Sequence, residues 1–206
     1  MRAKNLLSTA ALYVLLGAPH HASAQRVSVG VIGGAGLTDD FRSDTIPAQG
    51  YSPYLHFFSS SKDYLAGASI ELALPLHLSA ELDGLYRPLS YAYTGSYTNP
   101  SGVGDFTHPS ATVLTWEFPL LAKYKFSSRP ISPFVAAGPS FRASGNLNGT
   151  SPSHGGVTIG GGIEARFHRL KIAPQIRYTR WAEDHPSPPW AVTNPNQAEF
   201  LAGFTF

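Results

Sequence analysis

Two stretches of this 206-residue chain repeat a histidine, proline, serine tripeptide: His108-Pro109-Ser110 and His185-Pro186-Ser187. A serine hydroxyl within hydrogen-bond reach of a histidine, itself oriented by a carboxylate, is the constellation that activates a nucleophile for acyl transfer. Both tripeptides lie in proline-rich stretches, where the same residues are ordinary turn formers, and chance matches to so short a motif are common. Gly160-Gly161-Gly162 could cradle a phosphate, but no helix follows it and its flanks read as a strand, so space inside a sheet explains it better. The eight histidines show no metal-ligand spacing, and with no cysteine there is neither a thiolate nor a disulfide. No catalytic residue, cofactor or metal is therefore assigned. The remaining chemistry belongs to charges: Glu71, Glu81, Asp83, Arg87, Glu117, Lys123, Arg142, Glu164, Arg166 and Arg177. They could line an ion path or form a static salt-bridged network.

All of these charges oppose apolar residues within alternating segments. Tyr64, Ala66, Ala68, Ile70, Leu72 and Leu74 oppose Gly67, Ser69 and Glu71; after Pro75-Leu76-His77, Leu78, Ala80, Leu82, Gly84 and Tyr86 oppose Glu81, Asp83 and Arg87. The strongest alternation runs Leu114, Trp116, Phe118, Leu120, Ala122, Tyr124 and Phe126, against Thr115, Glu117, Lys123 and Lys125. Val135, Ala137 and Phe141 oppose Arg142, and Val157, Ile159, Ile163 and Phe167 oppose Glu164 and Arg166. Ile172, Ile176 and Tyr178 oppose Lys171, Gln175 and Arg177. A glycine-rich first strand spans Val27 to Ala35, and Ala198, Phe200, Ala202, Phe204 and Phe206 alternate with Gln197, Glu199, Gly203 and Thr205 in the last. That predicts eight strands, joined alternately by short turns and by long loops at 38–63, 94–110, 144–155 and 182–196. Leu89, Tyr91 and Tyr93 fall out of phase with Leu82 and Tyr86, which predicts a bulge at Arg87-Pro88. Pro119, Pro139 and Pro174 predict bulges or strand ends, because a closed sheet has no edge for a missing N–H.

Residues 1–24 read as a cleaved signal peptide, with Arg2 and Lys4, an apolar run from Leu6 to Gly17, and Ala22-Ser23-Ala24 before Gln25. About a dozen apolar residues fall short of the ~20 of a membrane-spanning helix. Two of the 15 Lys and Arg leave with that segment and none of the 13 Asp and Glu, so residues 25–206 are formally neutral and give no reason to expect a nucleic-acid partner.

An amphipathic eight-stranded sheet buries its apolar face against a second sheet or in lipid. Three features favour lipid. Long and short connections alternate; Tyr64, Tyr86, Tyr124, Phe126, Phe167, Tyr178 and Phe206 lie near strand ends, as interfacial girdles do; and charges of both signs occur on nearly every opposite face, where they could pair inside. The fold class expected is all-β, an eight-stranded antiparallel up-and-down transmembrane β-barrel at 25–206.

With these features the chain resembles the small outer-membrane β-barrel proteins of Gram-negative bacteria, the OmpA/OmpX-like group. The resemblance implies a bacterial outer-membrane location, contact with outer-membrane lipid, and a last strand recognised by the barrel-assembly machinery through Glu199, Phe204 and Phe206, with Leu201 where that group carries glycine. Some lipid A-modifying barrels use a serine, a histidine and a carboxylate, which is the chemistry the tripeptides would serve. The expectation is a monomeric, non-enzymatic barrel with a structural or surface-binding role, its contact residues Tyr51, Tyr54, Tyr97 and Trp190 on the outer loops and its surface ligand unknown. A narrow pore and a lipid A-modifying enzyme are the alternatives.

Overall fold

In a computed structural model, residues 27–46, 54–60, 64–99, 101–145, 152–182 and 192–206 are described. The expected signal peptide, together with Tyr51, His185, Ser187 and Trp190, lies outside them. The strands are β1 (Val27–Gly36), β2 (Asp44–Ile46), β3 (Leu55–Ser59), β4 (Tyr64–Ala73), β5 (Leu78–Asn99), β6 (Gly102–Lys125), β7 (Ile131–Ser144), β8 (Gly155–Phe167), β9 (Leu170–Trp181) and β10 (Asn196–Thr205). Every pairing is antiparallel, and β1, β4, β5, β6, β7, β8, β9 and β10 close a ring, with β1 joined to both β10 and β4. Closure at β1 and β10 removes the two edges an open sheet would leave.

The ring is inverted relative to a water-soluble domain. Val31, Ile70, Leu82, Leu120, Ile159, Ile176 and Phe200 point outward and are exposed, whereas Glu81, Asp83, Arg87, Lys123, Arg142 and Arg177 point inward and are buried. Among the described outward positions between the two aromatic rims, none is Asp, Glu, Lys or Arg. Tyr64, Tyr86 and Trp116 form one rim, with ring centroids 6.4 and 5.6 Å apart, and Tyr124 with Phe126, 5.3 Å apart, marks the other. From Trp116 to Tyr124 the chain climbs about 26 Å along the strand, or about 20 Å along the axis at the usual tilt, which suits the hydrocarbon band of an outer membrane.

The prolines correct the sequence reading. The ladder is interrupted for two residues on one side of each, at Asp83–Gly84 beside Pro119, Leu120–Leu121 beside Pro139 and Ile163–Glu164 beside Pro174, and the register resumes unchanged. On the other side Pro119 pairs with Ser140, Pro139 with Val157 and Pro174 with Ala202. A proline lacks a donor toward one neighbour only, so the sheet tolerates it by leaving that stretch unbonded.

The bulge expected at Arg87-Pro88 is absent: Arg87, Pro88 and Leu89 pair in sequence with Thr115, Leu114 and Val113, and the one shift lies between Tyr91 and Tyr93. Leu89 and Tyr91 stay on the inward face, where Phe41, Phe57 and Val113 join them in an apolar cluster. Past the Tyr86 rim water replaces lipid outside, so the apolar residues change sides while the strand keeps its phase. The loop expected at 94–110 is likewise replaced by a hairpin, with β5 and β6 paired out to Asn99 and Gly102. β3 adds to β5 and β2 to β3, making a four-stranded sheet that stands on the barrel. From Tyr86 to Asn99 this extension holds about 40 Å of strand.

Candidate functional site

Inside the ring, side chains pair across the bore at three levels. Nearest the short turns, Glu71 and Glu164 are shared: Lys125 Nζ lies 2.7 and 2.8 Å from them, Lys171 3.9 Å from Glu71, and Arg166 3.4 Å from Glu164. In the middle, Arg177 donates to Asp83 and Glu81, both at 2.6 Å, and Lys123 donates to Glu81 at 3.0 Å while lying 3.6 Å from Glu71. Towards the long loops, Arg87 meets Asp40 at 2.7 Å and Glu199 at 3.3 Å, and Arg142 meets Glu117 at 3.0 Å. Alternation on seven strands, β4 to β10, supplies all of these groups but Asp40, because every second residue of a barrel strand faces the lumen.

Neutral groups hold the charged ones in place. Arg142 stacks on the Trp181 ring at 3.8 Å, and its Nη2 and Trp181 Nε1 both donate to Gln197 Oε1 at 2.7 Å. Lys123 stands over the Phe134 ring at 4.1 Å. Ser140, Thr158 and Thr179 form a hydroxyl chain with 2.6 Å links. One wall is apolar, where Ile32, Leu65, Leu85 and Leu201 pack together. Leu201, at the position the resemblance gives to glycine, is fully buried there.

Gly160 shows why the triple glycine is there. A Cβ at this position would meet Arg177 Cγ at 2.9 Å and Ile176 O at 2.8 Å, so the missing side chain is the space Arg177 crosses. The glycines lie in β8, not at the start of a helix.

Of the ten charges singled out from sequence, nine are buried in the lumen; Arg166, its side chain 51% exposed, stands at the mouth. Asp40, Lys125 and Lys171 join the network beside them. Lys125 and Lys171 alternate in phase with Lys123 and Arg177 and were legible by that rule. Asp40 lies in a loop with no periodicity, and only the fold brings it inward. The segment carrying it is stitched to the strand opposite: Leu37 N donates to Ala198 O at 2.7 Å, Arg42 N to Val192 O at 2.9 Å and Asn194 N to Asp40 O at 2.7 Å. Phe41, 1% exposed, then packs on Tyr91 with centroids 5.0 Å apart and caps the network from above.

Glu199 faces the lumen, and Phe204 and Phe206 face outward, with Phe206 N donating to Val29 O at 2.9 Å. Tyr54 and Tyr97 are exposed on or beside the extension. His108 stacks on Tyr93 at 4.7 Å, and its Nδ1 lies 3.0 Å from its neighbour's carbonyl, that of Pro109. Among the described residues no group of three or more His, Cys, Asp and Glu could hold a metal ion.

Comparison with known proteins finds one family, described as "Outer membrane protein beta-barrel domain", matching residues 8–206. Among solved structures, the transport unit of the autotransporter AIDA-I from Escherichia coli aligns over 98% of this chain and 96% of that one, with 12% identity and a TM-score of 0.32. No curated protein matches the chain.

Proposed function

From the premise that this chain belongs to the outer membrane protein β-barrel domain family, we propose a monomeric, non-enzymatic barrel of the bacterial outer membrane. Its bore is closed, and it works through the sheet and loops beyond the long-loop rim, in a structural or surface-binding role. The observation that carries this reading is the filled lumen: Arg87, Lys123, Arg142 and Arg177 point into the bore and are each exposed by 3% or less. Side chains lining an aqueous channel would stay wet, whereas these are dry and paired across it. The four-stranded extension is the surface left to meet a partner, with Tyr54 and Tyr97 exposed there as contact candidates. An exported precursor with a signal peptide at 1–24, and insertion by the barrel-assembly machinery reading Glu199, Phe204 and Phe206, complete the proposal.

The absence of cysteine makes the test clean. Tyr97→Cys should react with a membrane-impermeant maleimide on intact cells, and Leu76→Cys only after the outer membrane is opened. The opposite pattern would overturn the orientation and with it the proposed working surface.

A further inference from the structure

We propose that the barrel end carrying the short turns holds a binding site for the phosphate of an anionic phospholipid headgroup. The site is a cavity of about 340 Å³ whose lining includes Ser79, Lys125, Arg166, His77, Leu76 and Leu78. It lies outside the loops and the extension to which the proposed function is assigned.

Three observations point to an oxyanion. Ser79 lines the cavity and is 2% exposed, and among the described residues its hydroxyl has no hydrogen-bond partner, which is costly for a buried polar group unless a ligand supplies one. Among the described residues, cations outnumber carboxylates at this mouth: Lys125, Lys171 and Arg166 share Glu71 and Glu164, which Lys123 also approaches, while deeper in the bore Lys123 and Arg177 are matched by Glu81 and Asp83. Arg166 touches Glu164 at 3.4 Å and is half exposed, which leaves most of its planar fork of donors turned to the cavity or to water. Among the described residues, no carboxylate lines the cavity.

Beside the cavity the chain reverses in a tight hairpin turn whose central residues, Leu76 and His77, both hold the positive φ such a turn requires, 62° and 63°. That turn is fixed over the cavity by the 2.8 Å hydrogen bond between His77 Nε2 and Ser128 Oγ, which ties the first short turn to the second.

Lipid is favoured as the source of the phosphate because Leu74, Leu76 and Leu78 share the lining of the cavity with its cations. Leu78 and Leu76 are 40% and 83% exposed where the belt ends, so acyl chains lying against them bring a headgroup to Arg166. Exposed Arg129 and Arg169 on the neighbouring turns add positive charge, which attracts an anionic headgroup and repels the choline of a zwitterionic one.

The test uses the full chain folded in an uncharged detergent, with amide NMR shifts followed during titration with dihexanoyl phosphatidylglycerol, dihexanoyl phosphatidylcholine and inorganic phosphate. Phosphatidylglycerol should give saturable shifts at Leu76, Ser79, Ser128 and Arg166, with about tenfold weaker binding of the other two. Arg166→Gln and Ser79→Ala should each weaken it about fivefold or more. Ser79→Ala removes an unpartnered buried hydroxyl, so its thermal stability should be unchanged or raised, and the lost affinity then reports binding rather than unfolding. Shifts that never saturate, or variants that bind as well as the parent, overturn the site. Equal binding of inorganic phosphate overturns the lipid source, and equal binding of phosphatidylcholine overturns the need for negative charge. A chain that gives no heat-shifted band on a gel would instead contradict the barrel reading.

Discussion

Asp40 Oδ1 lies 2.7 Å from Arg87 Nη2, with both side chains withdrawn from solvent, although Asp40 belongs to a loop and Arg87 to a strand wall. This contact brings a third carboxylate to a level where Arg87 and Arg142 otherwise face Glu117 and Glu199. Three carboxylates against two guanidiniums make the loss of a cation worse than the loss of an anion. Arg87→Met should cost about 3–5 kcal/mol and Asp40→Asn about 1–2 kcal/mol, measured by urea unfolding in liposomes. The reverse order would contradict the charge count.

Gly160 and Gly161 are neighbours on opposite faces of β8. Valine at Gly160 displaces Arg177 from Asp83 and Glu81 and should destabilise by about 1–3 kcal/mol. At Gly161 the nearest obstacle to a Cβ is Phe134 O at 3.2 Å, followed by Val135 Cγ1 at 3.8 Å. That valine enters lipid and should cost less than about 1 kcal/mol. Comparison of the two unfolding midpoints decides, and equal losses would place Arg177 elsewhere.

Leu120 and Val103 are 46% and 74% exposed on the same strand, one in the belt and one near the hairpin tip. Arginine at Leu120 should cost about 2–4 kcal/mol, and at Val103 within about 0.5 kcal/mol of nothing. Similar penalties at both would mean that β6 does not pass from lipid into water.

Phe206 is 67% exposed at the short-turn rim, so it packs little protein around it. If the assembly machinery reads this strand, Phe206→Ala should lower the yield of membrane-inserted protein several-fold while changing the refolded protein's stability by less than about 1 kcal/mol. Unchanged membrane yield would remove Phe206 from the assembly signal.

The period-two pattern made the barrel wall legible, because lipid outside and charge inside impose opposite chemistry on alternate residues of every strand. The rule fails where the outer solvent changes. Leu89 and Tyr91 look like a phase slip because polarity alone cannot tell an outward residue in lipid from an inward residue above the membrane. The hairpin at 94–110 was hidden by glycine, serine, asparagine and proline, residues common in turns, which strand pairing overrides here. Asp40 and Phe41 had no local signal, since what draws them inward is Arg87 and Tyr91, about fifty residues later in the chain.

The central claim is that ion pairs close the bore, and single-channel recording in planar bilayers tests it most directly. The refolded chain should show no discrete conductance, and Glu117→Gln or Lys123→Met should open none while the remaining side chains fill the space. Stable conductance steps in the unaltered protein, changed in size by neutralising Glu117 or Lys123, would contradict the closed barrel and establish a pore.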